Sequence, residues 1–254
     1  MSSSADTATT DIKPLEALRP LALLAAGLSG ADIERLVREV RARCRRKGVP
    51  FTWDALEAAL KRDGGAFSDD MRYRIAVHEI GHALCYETTG LGKVISVRLH
   101  GLGGKTEILI DREQLQFGQG MLDNLVAVLG GRAAEAVVFG EKMVGSGGDA
   151  QSDLSVATRI AVELETAFGL GDQHPLIFRP PTSAADMLLY NAPLADRAQA
   201  RLESAEQRAV DLLQQHRHLL EGLGRQLVEA HVLEGEVIRT ALAEAEGVHS
   251  CSLP

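Results

Sequence analysis

The sequence has few cysteines and no long apolar run, and both scarcities exclude classes of protein. Cys44, Cys85 and Cys251 are the only cysteines in 254 residues. An odd number so widely spaced predicts no disulfide framework and fits a reducing, cytoplasmic setting. The apolar stretch 21–28 is much shorter than the roughly 20 residues that span a membrane. Residues 1–10 are polar and unlike a signal peptide, so we expect a soluble chain without a membrane segment.

Aromatic residues are also scarce, and positive charge is in deficit. Aromatics make up 4% of the chain, whereas apolar residues make up 45% and the formal net charge is -8. An acidic chain argues against a nucleic-acid partner. The basic cluster from Arg41 to Lys47 falls at the end of a predicted helix, where cations complement the helix dipole. Abundant Ala, Leu and Gly favour a mostly α fold with closely packed helices.

The sequence lacks a phosphate-binding loop. The tripeptide Gly104-Lys105-Thr106 could be mistaken for one, but the motif needs a glycine five residues before Gly104, where Leu99 stands. The chain is also predicted to enter a strand after this tripeptide, whereas a phosphate-binding loop opens a helix. We therefore expect no ATP binding by that route.

Capping and turn signals predict a polar tail and two domains. Residues 1–11 are predicted to be a disordered tail. Residues 12–63 are predicted to form a small helical domain, with a helix over 31–46 that Ser29 caps. A Gly-rich linker follows at 63–65, and the second domain is predicted over 66–248.

The second domain is predicted to be mostly helical with a small β-hairpin. Its predicted strands are 94–99 and 106–110. Its predicted helices are 72–87, 121–139 and 153–168, with further helices over 195–247. Gly130 and Gly131 fall inside the second of these helices, where each glycine costs roughly 1 kcal/mol relative to alanine. Close approach of another helix would explain them.

The chemistry-bearing motif is His78-Glu79-Ile80-Gly81-His82, which reads H-E-x-x-H. It lies in a predicted helix that begins after Ser68 and stops near Gly90. Residues four apart lie on one helix face, so the two imidazoles can bind one zinc ion and Glu79 can reach a water on that ion. The competing interpretation is two histidines packed in the core with Glu79 in solvent.

Spacing alone leaves the third metal ligand open. The metzincin extension needs Gly three and His six residues after His82. Cys85 and Thr88 occupy those positions, so that class is excluded. A glutamate on a following helix is another common choice, and Glu135 is well placed for it. Composition and spacing do not select Asp153, whose position at the start of a predicted helix suits a plain N-cap.

Several separate segments together make the chain similar to one family. They are residues 78–84, 129–140, 152–154, 157–158 and 168–170. Their order and approximate spacing match the peptidase domain of the FtsH-type ATP-dependent zinc metalloproteases, which the chain resembles over about residues 66–248. An upstream segment, residues 27–33, resembles the helical lid that ends the family's AAA ATPase module.

This resemblance implies a site. It implies that His78, His82 and Asp153 bind Zn²⁺, that Glu79 is the general base, and that Glu135 supports a ligand imidazole by accepting its other N–H. It also implies that the chain hydrolyses peptide bonds of unfolded or damaged polypeptides. Ile80 stands where the family usually has Ala.

The resemblance further implies a hexameric ring of peptidase domains served by an AAA ATPase module. The AAA core and the family's membrane segments do not occur in this sequence, so we expect either a fragment or a natural form without an ATPase. Two alternatives remain: a non-catalytic, zinc-binding assembly module of an AAA protease complex, and a helical adaptor with an accidental motif. The presence of Glu79 argues against the first.

Overall fold

A computed structural model describes residues 13–26, 28–62, 67–100, 103–179 and 184–250. The predicted tail and the predicted linker at 63–65 lie outside these residues. The chain divides into two compact units, Met1–Gly65 and Ala66–Pro254. No helix within the described ranges is both long and apolar enough to cross a membrane.

The described residues of the first unit form three helices, α1 (Lys13–Ala25), α2 (Gly30–Lys47) and α3 (Trp53–Arg62). The predicted cap of α2 is confirmed: the Ser29 side chain accepts from Asp32 N, and the Asp32 carboxylate accepts from Ser29 N. Such a reciprocal box satisfies two donors that the helix start would otherwise leave free. The apolar face of α2 packs on α3 through Val40, Cys44 and Ala59.

The second unit combines eight helices and three strands among its described residues. The helices are α4 (Asp69–Thr89), α5 (Gly118–Val128), α6 (Gly130–Phe139), α7 (Asp153–Thr166), α8 (Ala184–Tyr190), α9 (Ala192–Gln215), α10 (Arg217–Ala230) and α11 (Gly235–Ser250). The strands are β1 (Gly92–His100), β2 (Gly103–Ile110) and β3 (Val232–Glu234). The mostly α fold with a small hairpin is confirmed.

The three strands form one antiparallel sheet in the order β2-β1-β3. The hairpin of β1 and β2 pairs Val97 with Thr106, and its turn at 101–102 lies outside the described residues. The third strand was not predicted, because three residues are too few to show strand alternation. Leu233 becomes part of a strand only because it pairs with Val97 of β1.

Helix α4 lies at the centre of the second unit and packs against β1, β2, α5, α6 and α10. It begins at Ser68, whose side chain accepts from Met71 N, and ends at Gly90 with φ 69°. The predicted start after Ser68 and the predicted stop near Gly90 are therefore close to the observed ends of α4. Its middle is buried almost all round, as a central helix requires. The motif histidines therefore sit on a helix that its neighbours hold in place.

The predicted helix over 121–139 is wrong in one respect, because the chain forms two helices there. Leu129 separates α5 from α6 with φ -85° and ψ -3°. Glycine has low helix propensity, so the glycines that follow allow this break at small cost. The predicted close approach is confirmed. A Cβ on Gly130 would lie 2.8 Å from the carbonyl oxygen of Gly81 on α4.

Candidate active site

The Nε2 atoms of the two motif histidines face each other on one side of α4. His78 Nε2 and His82 Nε2 are 3.1 Å apart, and the side chains are 13% and 11% exposed. Four-residue spacing on a helix produces this stacking. The site therefore starts from two imidazoles that a rigid, buried helix orients.

Asp153 reaches both imidazoles from the start of α7. Its Oδ2 lies 3.1 Å from His78 Nε2 and 3.5 Å from His82 Nε2. Ser152, not Asp153, is the N-cap of α7, because its side chain accepts from Ser155 N. The carboxylate of Asp153 is therefore not used as the helix cap.

The spacing of these three atoms fits a tetrahedral metal ion. Ligands at roughly 2.0–2.1 Å from zinc in tetrahedral geometry lie about 3.3 Å from one another. The three observed separations are 3.1, 3.1 and 3.5 Å. Within the described part of the chain, His78, His82 and Asp153 are a group of side chains that could hold a metal ion.

Hydrogen bonds on the far side of each ring decide which nitrogen carries the proton. His78 Nδ1 lies 2.6 Å from Glu135 Oε1, and His82 Nδ1 lies 2.9 Å from the carbonyl oxygen of Ala127. Both partners are acceptors, so both Nδ1 atoms donate. In the neutral rings the Nε2 lone pairs then converge with a carboxylate oxygen of Asp153. Three acceptors that face one point suit a cation between them, whether a metal ion or a shared proton.

The pKa shifts of His78 and Asp153 agree with a site that suits a cation. Burial lowers the pKa of His78, but hydrogen bonds to Asp153 and Glu135 outweigh it and raise the pKa to about 10. For Asp153, burial raises the pKa, but hydrogen bonds from His78 and His82 bring it well below the usual range. Both shifts mean that this site favours positive charge beside the Asp153 carboxylate.

Glu135 of α6 is fully buried and supports His78 from behind. Its Oε1 contacts His78 Nδ1, and its Oε2 accepts from Met143 N at 2.5 Å. Both carboxylate oxygens are thus already engaged away from the convergence point. This geometry matches a carboxylate that orients a ligand imidazole.

Glu79, between the histidines, is half-buried and faces β2. Its Oε2 accepts from the Thr106 hydroxyl at 2.7 Å.

Gly131 of α6 faces the histidines themselves, since a Cβ there would lie 2.5 Å from the Nε2 atoms of both His78 and His82. Sequence reasoning missed Gly131 as a site residue, although the Gly-Gly pair inside a predicted helix was a visible signal. It also missed Thr106, which carried no signal beyond the rejected nucleotide motif.

These site residues all fall inside one family match. The family model described as Peptidase family M41 matches residues 66–241. The chain belongs to peptidase family M41. The M41 match covers most of the second unit, from α4 into α11.

Several curated relatives resemble this M41 chain. The ATP-dependent zinc metalloprotease FtsH of Methylibium petroleiphilum is 30% identical over 93% of this chain and 42% of its own length. FtsH 2 of Sphaerobacter thermophilus is 30% identical over 89% of this chain and 36% of its own length. FtsH 1 of Symbiobacterium thermophilum is 34% identical, with 91% and 40% covered. The chain therefore spans less than half the length of these relatives.

Proposed function

We propose that this M41 chain is a zinc metalloendopeptidase that hydrolyses peptide bonds of unfolded or damaged proteins. The observation that carries the proposal is the convergence of two imidazole lone pairs and one carboxylate oxygen at tetrahedral spacing. Relatives that carry the name zinc metalloprotease support the choice of zinc.

In this proposal His78, His82 and Asp153 hold Zn²⁺, and Glu135 fixes the orientation of His78. Zinc, when bound, lowers the pKa of water to about 7 and polarises the scissile carbonyl. A fourth coordination position left free is typical of catalytic zinc sites. Gly131 keeps the space beside both Nε2 atoms clear of a side chain.

Glu79 is the proposed general base. Its carboxylate takes a proton from the attacking water and delivers that proton to the leaving amine. The step balances, because the water oxygen joins the carbonyl carbon as the C–N bond breaks and the nitrogen gains the proton. Glu79 is not among the grouped metal-binding side chains, so its carboxylate remains available for this transfer.

The test combines metal analysis with hydrolysis of casein, an unstructured substrate. Purified protein should contain about one zinc per chain, and a chelator should abolish hydrolysis until zinc is restored. Glu79→Gln should keep zinc but lose at least about 100-fold in rate, the lower end of general-base contributions. The matched control is Glu141→Gln, because Glu141 is 65% exposed and pairs with Arg74 of α4 outside the site.

The outcomes separate the alternatives. No zinc after metal-replete preparation would contradict the whole proposal. Zinc without hydrolysis in the parent protein would indicate the non-catalytic assembly module instead. Activity in Glu79→Gln within a few-fold of the parent would contradict only the role of Glu79 as base.

We also propose that residues 12–63 are an AAA lid-like subdomain and that an AAA ATPase module acts with this chain. The match to the first relative covers more of the chain than the second unit holds, so it includes part of the first unit. The scarce cysteines still predict a cytoplasmic location for the chain. ATP dependence would come from the ATPase module, not from these residues.

The hexameric ring that the resemblance implies remains our proposal for assembly. Leu213 of α9 and Leu220 and Leu227 of α10 are fully buried within their own unit, so these three side chains are not available to a neighbouring subunit. Exposed apolar side chains lie elsewhere in the second unit. They include Leu176, Ile177, Phe178, Leu189 and Tyr190. Contiguous exposed apolar residues commonly mark an interface.

A further inference from the structure

The hydroxyl of Thr106 on β2 holds the carboxylate of Glu79. Thr106 Oγ1 lies 2.7 Å from Glu79 Oε2 and 2.9 Å from the Glu79 carbonyl oxygen. A hydroxyl has a single proton, so it donates to one of these acceptors at a time. The carbonyl lies mid-helix and already accepts within α4, whereas the carboxylate gives a stronger, charge-assisted hydrogen bond. The carboxylate is therefore the favoured acceptor.

The backbone of the same strand restricts Glu79 from a second side. A Cβ on Gly104 would overlap Glu79 Cγ and would lie 2.7 Å from Glu79 Oε1. Strand β2 therefore passes directly against the side chain, and one carboxylate oxygen is anchored while the other lies beside a glycine. A glutamate side chain that is free to rotate would have no such fixed orientation.

We propose that Thr106 is a positioning residue that acts through Glu79. It fixes the direction of the carboxylate, so that Glu79 meets the water it must deprotonate. A general base works only within hydrogen-bond reach of the proton it removes, so orientation decides the rate of that step. This inference rests on the proposed function, because it assumes that Glu79 is the base.

The test compares two substitutions at position 106 in zinc-loaded protein. Thr106→Val keeps the shape and removes the hydroxyl, whereas Thr106→Ser keeps the hydroxyl. Thr106→Val should lower kcat on the order of 10- to 100-fold with KM within about twofold, as expected for loss of a hydrogen bond to a charged group. Thr106→Ser should restore kcat to within about threefold of the parent.

The matched control is Thr89→Val. Thr89 also lies part-buried and donates to a backbone carbonyl, that of Cys85 in α4, but it does not contact Glu79. Its substitution should leave kcat unchanged. A second variant, Gly104→Ala, keeps the Thr106 hydroxyl but crowds Glu79, and kcat should fall again. Zinc retention against a chelator should match the parent in all these variants.

A double variant separates positioning from a general structural effect. If Thr106 acts through Glu79, adding Thr106→Val to Glu79→Gln should not lower the residual rate further. Equal losses in Thr106→Val and Thr106→Ser, or a parental kcat in Thr106→Val, would overturn the inference. Hydrolysis by Glu79→Gln at the parental rate would instead overturn the base assignment in the proposed function.

Discussion

The proposed third ligand, Asp153, and the carboxylate that orients His78, Glu135, can be told apart by how much the loss of each weakens zinc binding. Asp153→Asn removes the negative charge that faces both imidazoles and leaves only a neutral amide oxygen there, whereas Glu135→Gln disturbs only the far side of His78. Changes behind a ligand typically weaken metal binding about 10- to 100-fold. We expect Glu135→Gln to fall in this range and Asp153→Asn to exceed it.

The expected magnitudes follow from linkage. At a free zinc concentration about 1,000 times the parental Kd, zinc stabilises the parent protein by about 4 kcal/mol. A 10- to 100-fold weaker Glu135→Gln variant would keep about 1.4–2.7 kcal/mol of that stabilisation. Asp153→Asn should keep less than about 1.4 kcal/mol.

Glu135→Gln should also destabilise the zinc-free protein. The carboxylate accepts from both His78 Nδ1 and Met143 N, and Glu135 is fully buried. A Gln amide has a single acceptor oxygen and must turn its NH₂ toward one of these donors. One buried donor is then left unpaired, which costs about 1–3 kcal/mol of unfolding free energy.

The assays are zinc retention against a graded chelator and urea unfolding with and without zinc. Asp149→Asn is the matched control. Asp149 is an exposed acid just before α7, and its carboxylate accepts a hydrogen bond from Gln151 N. If Glu135→Gln loses zinc at a lower chelator concentration than Asp153→Asn, the two roles are exchanged and the geometric argument fails.

Three further predictions concern pH, nucleotide and assembly. Burial lowers the pKa of His78 but hydrogen bonds raise it to about 10, so its contribution to zinc-free stability is complete below pH of about 6.5 and is lost as pH rises toward 10. Urea unfolding should show this loss in the parent and much less in His78→Gln; parallel curves would refute it. ATP should not bind this chain, since Lys105 lies within strand β2, and micromolar binding by isothermal titration would contradict that. Light scattering across a dilution series should show concentration-dependent oligomers that Phe178→Glu weakens; a monomer at high concentration would exclude the ring for this chain.

Local sequence was enough to predict the elements that carry the motif. Ser68 and Gly90 mark the ends of α4, because capping depends on residues next to each other in the chain. The four-residue spacing of His78 and His82 puts both rings on one face for the same local reason. The fold class followed from composition and from the period of apolar residues.

Tertiary structure alone decided how the rest of the site comes together. Asp153, Glu135 and Thr106 lie on three elements other than α4, and spacing in the sequence does not say which of them faces an imidazole. Packing of α6, α7 and β2 on α4 brings them within hydrogen-bond distance. Gly131 has the same explanation, because its lack of a side chain matters only where α6 meets the two histidines. The meeting of distant segments depends on the packed core, and no local pattern in the chain encodes it.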